Sequence, residues 1–206
     1  MSDRTEHLAL FDFDGTLYKY DSLLSFCFYY YQQKPLRIWR ITLQVYAWVL
    51  WKLKRINTTT FKSKFICFIG QDSAQEVQRL ATQFWENKEA FNEELLIALK
   101  QCQSEALCVV VVSASPDVFI LPACEKLGIT LVIATTLNIH GGGYTLGTNC
   151  RGSEKIVRLR EAFPTQRIVQ AYSDNLDDIP LLQAAENGFL VRNGVISSVR
   201  DSGVFH

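Results

Sequence analysis

Four sets of polar residues are placed to do chemistry together: Asp12, Asp14 and Thr16; Ser113; Lys155; and Asp174 with Asp178. Carboxylates, hydroxyls and an ammonium brought to one place make a charged ligand site. Asp12 and Asp14 stand two apart, so along an extended segment both side chains leave on the same side. A lone Asp-x-Asp is most often a solvated turn. Here the pair closes the apolar run Leu8–Phe13 and continues as Gly15-Thr16, which is far more specific. The other sets also fall at expected strand ends or helix starts. In open parallel α/β sheets the ligand crevice lies at the carboxyl ends of the strands, so one sheet would gather all four.

The elements that must position them read as follows. Leu8–Phe13 is a short buried strand, and Leu107–Val112 is a β-branched run suited to a parallel strand buried on both faces. Ser115-Pro116-Asp117 reads as a helix start, with Ser115 as N-cap and Pro116 at the first position; that helix stops at Gly128. Strand Ile129–Ala134, a hairpin across Thr136–Cys150, helix Ser153–Ala162, strand Arg167–Tyr172, helix Asp177–Ala185 and strand Gly188–Val191 follow. Asp177 reads as the N-cap of its helix and stays outside the site, and His140 and His206 read as exposed. Strand–helix alternation implies a parallel sheet with helices on both faces. Between residues 20 and 104 the spacing is helical throughout, so an all-helical segment interrupts the α/β core after its first strand. The expected division is a core of 1–17 and 105–206 and a helical cap of 18–104.

Composition sets the class. The chain has 206 residues, 48% hydrophobic and 20% charged, which excludes a disordered tail or a coiled coil. Met1–Glu6 is polar and Leu8–Phe11 is too short for a signal h-region. The six cysteines form no CxxC pair and mostly sit in apolar runs, as expected of reduced thiols in a cytoplasmic protein. Formal net charge is zero, yet Ser22–Gln71 holds eight basic residues and no Asp or Glu. Three of the four tryptophans, Trp39, Trp48 and Trp51, share that block. Such a concentration speaks of a partner surface.

Taken in order, FDFDGTL at 11–17, VVVVSAS at 109–115, Lys155 within GSEK, and SDNLDDIPLL at 173–182 resemble the four motifs of haloacid dehalogenase-like phosphohydrolases. The inserted helical segment is similar to the cap of the phosphoserine phosphatase-like branch. The resemblance implies a Rossmann-like core and an aspartyl-phosphate mechanism. Asp12 would be the nucleophile, and Asp14 the acid for the leaving alkoxide and then the base for water. Thr16 and Ser113 would donate hydroxyls to the phosphoryl oxygens, and Lys155 would balance charge. Asp12, Asp14 and Asp174 would form the metal set, Asn175 and Asp178 would orient metal-bound water or Lys155, and Asp21 would touch substrate near the opening. Ser173 and Asn175 depart from the family's usual Gly and Ser. Three ionised carboxylates facing a phosphate near −2 repel by roughly 4 kcal/mol per pair at 4 Å and a dielectric of 20. A divalent cation offsets that, and oxygen-only ligands suit Mg²⁺.

The basic block admits two readings. On one α-helix from Pro35 to Arg55, Arg37, Arg40, Gln44, Lys52 and Arg55 form one stripe and the remaining surface is largely apolar. Such a helix either buries a wide apolar face within the cap or rests on an anionic membrane through residues 34–64. Ile41–Trp51 is too short to span a bilayer. The Lys34-Pro35-Leu36 start and the hydrophobic run after it resemble bacterial phosphatidylglycerophosphatases. The expected function is a Mg²⁺-dependent phosphomonoesterase acting on a small ester or on a lipid phosphate headgroup, peripheral on the inner membrane surface in the second case. The competing class is a nucleic-acid- or membrane-binding protein using the basic block on an idle core; the intact carboxylates weigh against nucleic acid.

Overall fold

The computed structural model describes residues 7–86, 88, 90–140 and 142–199; Met1–Glu6 and His206 lie outside them. Strand β1 (His7–Phe11) is central to a six-stranded sheet. Its neighbours are β2 (Cys108–Pro116) and then β3 (Leu131–Thr135) on one side, and β6 (Arg167–Ser173), β7 (Asn187–Arg192) and β8 (Val195–Ser198) on the other. All pairs are parallel except β7 with β8, an edge hairpin that the sequence reading missed. The expected hairpin appears as β4 (Leu137–His140) and β5 (Gly143–Leu146).

Strand alternation splits the core into two layers. Leu8 and Leu10 face one apolar cluster with Val110, Val112 and Leu190. Ala9 and Phe11 face the other with Val111, Phe119 and Tyr172. Phe11, Tyr172 and Phe189 stack across three adjacent strands, with ring centroids 4.6 and 4.8 Å apart. Both faces of β1 are therefore apolar up to Phe11. The chain leaves the sheet at Asp12, whose amide still donates to the Tyr172 carbonyl.

The segment between β1 and β2 is helical, as expected: α1 (Ser22–Gln33), a 3-10 turn (Pro35–Arg40), α2 (Ile41–Lys52), α3 (Thr58–Phe65), α4 (Ala74–Glu86) and α5 (Glu93–Ser104). Helix α5 packs on β2 and β8, so the part lying away from the sheet ends before residue 93. After β2 come α6 (Asp117–Lys126), α7 (Ser153–Ala162) and α8 (Ile179–Gln183).

Residues 35–55 are not one helix, and this changes where their side chains go. In a 3-10 turn residues three apart eclipse, so Arg37 and Arg40 share a side, and that side faces inward. Arg37 binds Asp72 at 2.5 Å and the Ile69 carbonyl at 2.7 Å; Arg40 donates to the Cys67 carbonyl at 2.6 Å. Gly70 permits the approach of Arg40: its φ is +64°, and a Cβ there would meet the guanidinium at 2.5 Å. Lys34 also bonds Asp72, and Gln44 is buried against Tyr31 and the Phe65 carbonyl. Helix α2 buries only Gln44 and Ala47, contrary to the expectation of a wide buried apolar face. Its apolar residues point outward instead. Leu36, Ile38, Trp39, Leu43, Val45, Tyr46, Trp48 and Leu53 are all exposed.

Candidate active site

The sheet brings Asp12, Ser113, Lys155, Asp174 and Asp178 to the carboxyl ends of β1, β2 and β6. Lys155 lies in the first turn of α7 and is buried. Its ammonium pairs with Asp178 Oδ2 at 2.6 Å and Asp12 Oδ2 at 2.9 Å. Burial alone would lower the Lys155 pKa, but the two carboxylates raise it, so the ammonium stays charged. For Asp12 burial outweighs the pull of Lys155 and pushes the pKa up to about 6. The Phe13 amide donates to Asp12 Oδ1 at 2.7 Å, fixing the rotamer.

Asp14 has a different environment. The Ser22 amide donates to its Oδ1 at 2.9 Å and the Ser115 hydroxyl to its Oδ2 at 2.5 Å. Burial, with Asp21 adding to it, pushes its pKa up to about 7, against the two serines. Burial thus raises both carboxyls, and they differ in their partners: Asp12 lies against an ammonium, whereas Asp14 is held by two serines. Ser115 is accordingly not the N-cap of α6; Pro116 takes that place, and the Ser115 hydroxyl belongs to the site. Ser113 is buried, and its Oγ accepts from the Ser115 amide at 3.1 Å.

Thr16 lies against Asp174. It is fully buried, accepts from the Asp174 amide at 3.0 Å and donates to Asp174 Oδ1 at 3.4 Å, so it positions that carboxylate. Gly15 (φ +71°) lies so close that a Cβ would stand 2.2 Å from Asp174 Oδ2. Asp174 is open to solvent on one side, and what burial it has raises its pKa. Beside it opens a cavity of about 560 Å³ lined by Gly15, Lys19, Tyr20, Asn92 and Arg192.

Asn175 caps the turn Leu176–Asp178 by accepting from the Asp177 amide. Asp177 is therefore no cap; it is exposed and pairs with Arg151 at 2.8 Å. Asp21 caps α1, accepting from the Leu24 amide at 2.8 Å. Sequence reasoning missed three groups. Ser173, the departure from glycine, donates to Asp178 Oδ2 at 2.7 Å and lies 3.3 Å from Asp12 Oδ2. Ser115 holds Asp14, and Lys62 reaches in from α3 to the Ala114 carbonyl at 2.9 Å. Only the hydroxyl types of Ser115 and Ser173 beside the motifs signalled them; nothing local to Lys62 did.

Among the described residues no three acidic, histidine or cysteine side chains converge as a metal shell. Mg²⁺ does not need one, since it is held by one or two carboxylates, substrate phosphate and retained waters. Asp12 and Asp174 supply oxygen donors of that kind. Asp178 Oδ1, buried with no protein partner, is an acceptor suited to the water of a hydrated cation. The Asp14 carboxylate accepts from Ser22 and Ser115.

A model of haloacid dehalogenase-like hydrolases matches residues 9–183. The CicA protein of Caulobacter vibrioides is 30% identical over 199 residues, covering 91% of this chain and 87% of that one. A probable phosphatase of Mycobacterium tuberculosis is 33% identical over 105 residues, 48% of this chain and 35% of that protein. A solved phospho-aspartyl intermediate analogue of phosphoserine phosphatase shares the fold, with a TM-score of 0.55 at 18% identity over 88% of this chain and 84% of that one. With the motif carboxylates, Lys155 and the hydroxyls gathered at the carboxyl ends of that sheet, the assignment is complete: the chain belongs to the haloacid dehalogenase-like hydrolase family.

Proposed function

We propose that the enzyme hydrolyses phosphate monoesters in two displacements at Asp12. The observation that carries this is the difference in partners of the two carboxyls, Asp12 paired with the Lys155 ammonium and Asp14 held by the Ser115 hydroxyl and the Ser22 amide. Asp12 Oδ attacks phosphorus, and the P–O bond to the alcohol breaks as Asp14 gives its proton to the leaving oxygen. Asp14 then takes a proton from water as that water attacks the aspartyl phosphate, which restores both groups and releases inorganic phosphate. Ser113 is placed to donate to the phosphoryl oxygens, and Lys155 keeps Asp12 ionised and oriented. Mg²⁺ would be held by Asp12, Asp174 and, since its side chain is engaged, the main-chain carbonyl of Asp14. When bound it supplies positive charge against the phosphate. Asp21, at the rim beside Asp14, would meet the alcohol.

The substrate reading that the cap favours is a phosphate headgroup presented by a lipid surface. Its apolar residues form an outward face from Leu36 to Leu53, a patch that water-soluble monomers seldom leave bare. The exposed Lys52 ammonium lies over the rings of Trp48 and Trp51, 5.9 and 5.2 Å from the centroids, a pairing at home at the headgroup level. Among the described residues no helix is long and apolar enough to cross a membrane, so the mode is peripheral, on the inner face in this reading. Nucleic acid fits less well, because Lys34, Arg37, Arg40 and Lys62 are engaged inside the protein. Phosphate release tests both levels, with and without Mg²⁺, from phosphoserine, sugar phosphates, nucleotides and phosphatidylglycerophosphate in vesicles. We expect Mg²⁺-dependent release, fastest from the vesicles. Full activity in excess chelator would remove the metal, and preference for a soluble ester would remove the lipid.

A further inference from the structure

Lys62 is the member of the basic block that this mechanism leaves unused. It lies on α3, in the helical segment, yet its ammonium reaches the sheet. Nζ donates to the Ala114 carbonyl and to Asn149 Oδ1, both at 2.9 Å. Ala114 stands between Ser113 and Ser115, so the ammonium rests on the end of β2 that holds Asp14. The same helix is docked a second time where Tyr144 donates to the Ser63 carbonyl at 3.0 Å. Both direct partners of Lys62 are neutral, whereas Lys155 has two carboxylates and Lys34 has Asp72 and Glu76. The charges that act on Lys62 come from further off: Asp14, Asp21 and Asp12 attract it and Arg151 opposes. A largely buried cation with only neutral acceptors is short of an anion. An ammonium has three donors, and the contacts named here use two.

We infer that Lys62 is an anion-recognition residue, delivered to the active site by the helical segment, whose ammonium binds an oxyanion of the ester on the Asp14 side. That oxyanion is either part of the transferring phosphoryl group or a second anionic group on the leaving alcohol. The inference rests on the phosphatase reading for the identity of the ligand. It adds to that reading a second protein cation, one that exists at the site only while α3 lies against the carboxyl end of β2. Substrate charge and docking of the helical segment are thereby coupled.

The test is calorimetric binding with Mg²⁺ in an Asp12→Asn background, which cannot form the aspartyl phosphate. The ligands are orthophosphate, glycerol 3-phosphate with a neutral leaving alcohol, and 3-phosphoglycerate with a carboxylate on it. Lys62→Gln keeps N–H donors but loses the charge, and Lys62→Arg keeps the charge; melting curves establish that each is folded. Lys62→Gln should weaken binding about tenfold or more, and Lys62→Arg should stay within about threefold of the parent. Equal weakening for all three ligands assigns the phosphoryl group; weakening for 3-phosphoglycerate alone assigns the leaving group. Unchanged binding in Lys62→Gln, equal loss in Gln and Arg variants, or no binding of any ligand to the parent each overturns the inference. The phosphatase reading fails on a different result, the absence of phosphate release by the wild-type enzyme.

Discussion

The outward face of α2 makes a prediction that separates a membrane anchor from bare surface. Val45 and Val49 lie one turn apart on the side of α2 away from Gln44 and Ala47, and are 52% and 39% exposed. Burying a valine completely is worth about 1.5 kcal/mol, so inserting what remains exposed on both gives roughly 1.5 kcal/mol. Glutamate at both positions removes that term and brings two charges against an anionic leaflet at about 1 kcal/mol each. The sum is about 3.5 kcal/mol, or a few hundredfold in affinity. Co-sedimentation with phosphatidylglycerol-containing vesicles should therefore show firm binding by wild type and none by Val45→Glu/Val49→Glu. Wild-type binding should survive moderate salt, because four of the block's eight arginines and lysines, Lys34, Arg37, Arg40 and Lys62, are turned inward and the apolar face does the anchoring. The variant should melt no lower than wild type, since neither valine is buried. Wild type that ignores the vesicles at low salt, or a variant that still binds, would refute the reasoning.

Three further outcomes follow from the contacts. Lys155→Met should lower stability by about 3 kcal/mol, the cost of leaving buried carboxylates without their cation, and should abolish turnover; chemical denaturation and phosphate release read both. Ser115→Ala removes the hydroxyl on Asp14 and should cut kcat about tenfold or more with little change in melting temperature, so full turnover in a folded variant would detach Ser115 from the site. Burial would raise the Asp72 pKa, but bonds from Lys34, Tyr30 and Arg37 outweigh it and hold the carboxyl below its usual value. A depressed folded pKa stabilises above the unfolded value and loses that stability as pH falls, so Asp72→Asn should cost about 2 kcal/mol at pH 7 and progressively less below about pH 4 in thermal melts. A difference that stays constant down to pH 2 would contradict the pairing.

Most of the core was legible because its signals are local. Leu8–Phe11 and Cys108–Val112 are apolar runs suited only to burial, and Asp12 and Ser113 stand directly at their ends. The one-helix reading of Pro35–Arg55 failed for a physical reason. Hydrophobic periodicity assumes that apolar side chains face inward, whereas here Asp72 and the carbonyls of Cys67 and Ile69 draw the arginines in and leave the tryptophans outside. Ser115 misled in a similar way, since a serine before Pro116 looks like a cap until Asp14, a hundred positions away, claims its hydroxyl. Lys62 had no local signal at all, because its partners come from the end of β2 and from Asn149.

The central claim is that Asp12 carries the phosphoryl group. Rapid quenching of the Mg²⁺-loaded enzyme during turnover, followed by peptide mass analysis, should find one phosphoryl group on the peptide containing Asp12. Asp12→Asn should lose both the adduct and turnover while keeping the wild-type melting temperature. An adduct on another residue, or Asp12→Asn turning over within about tenfold of wild type, would contradict the account.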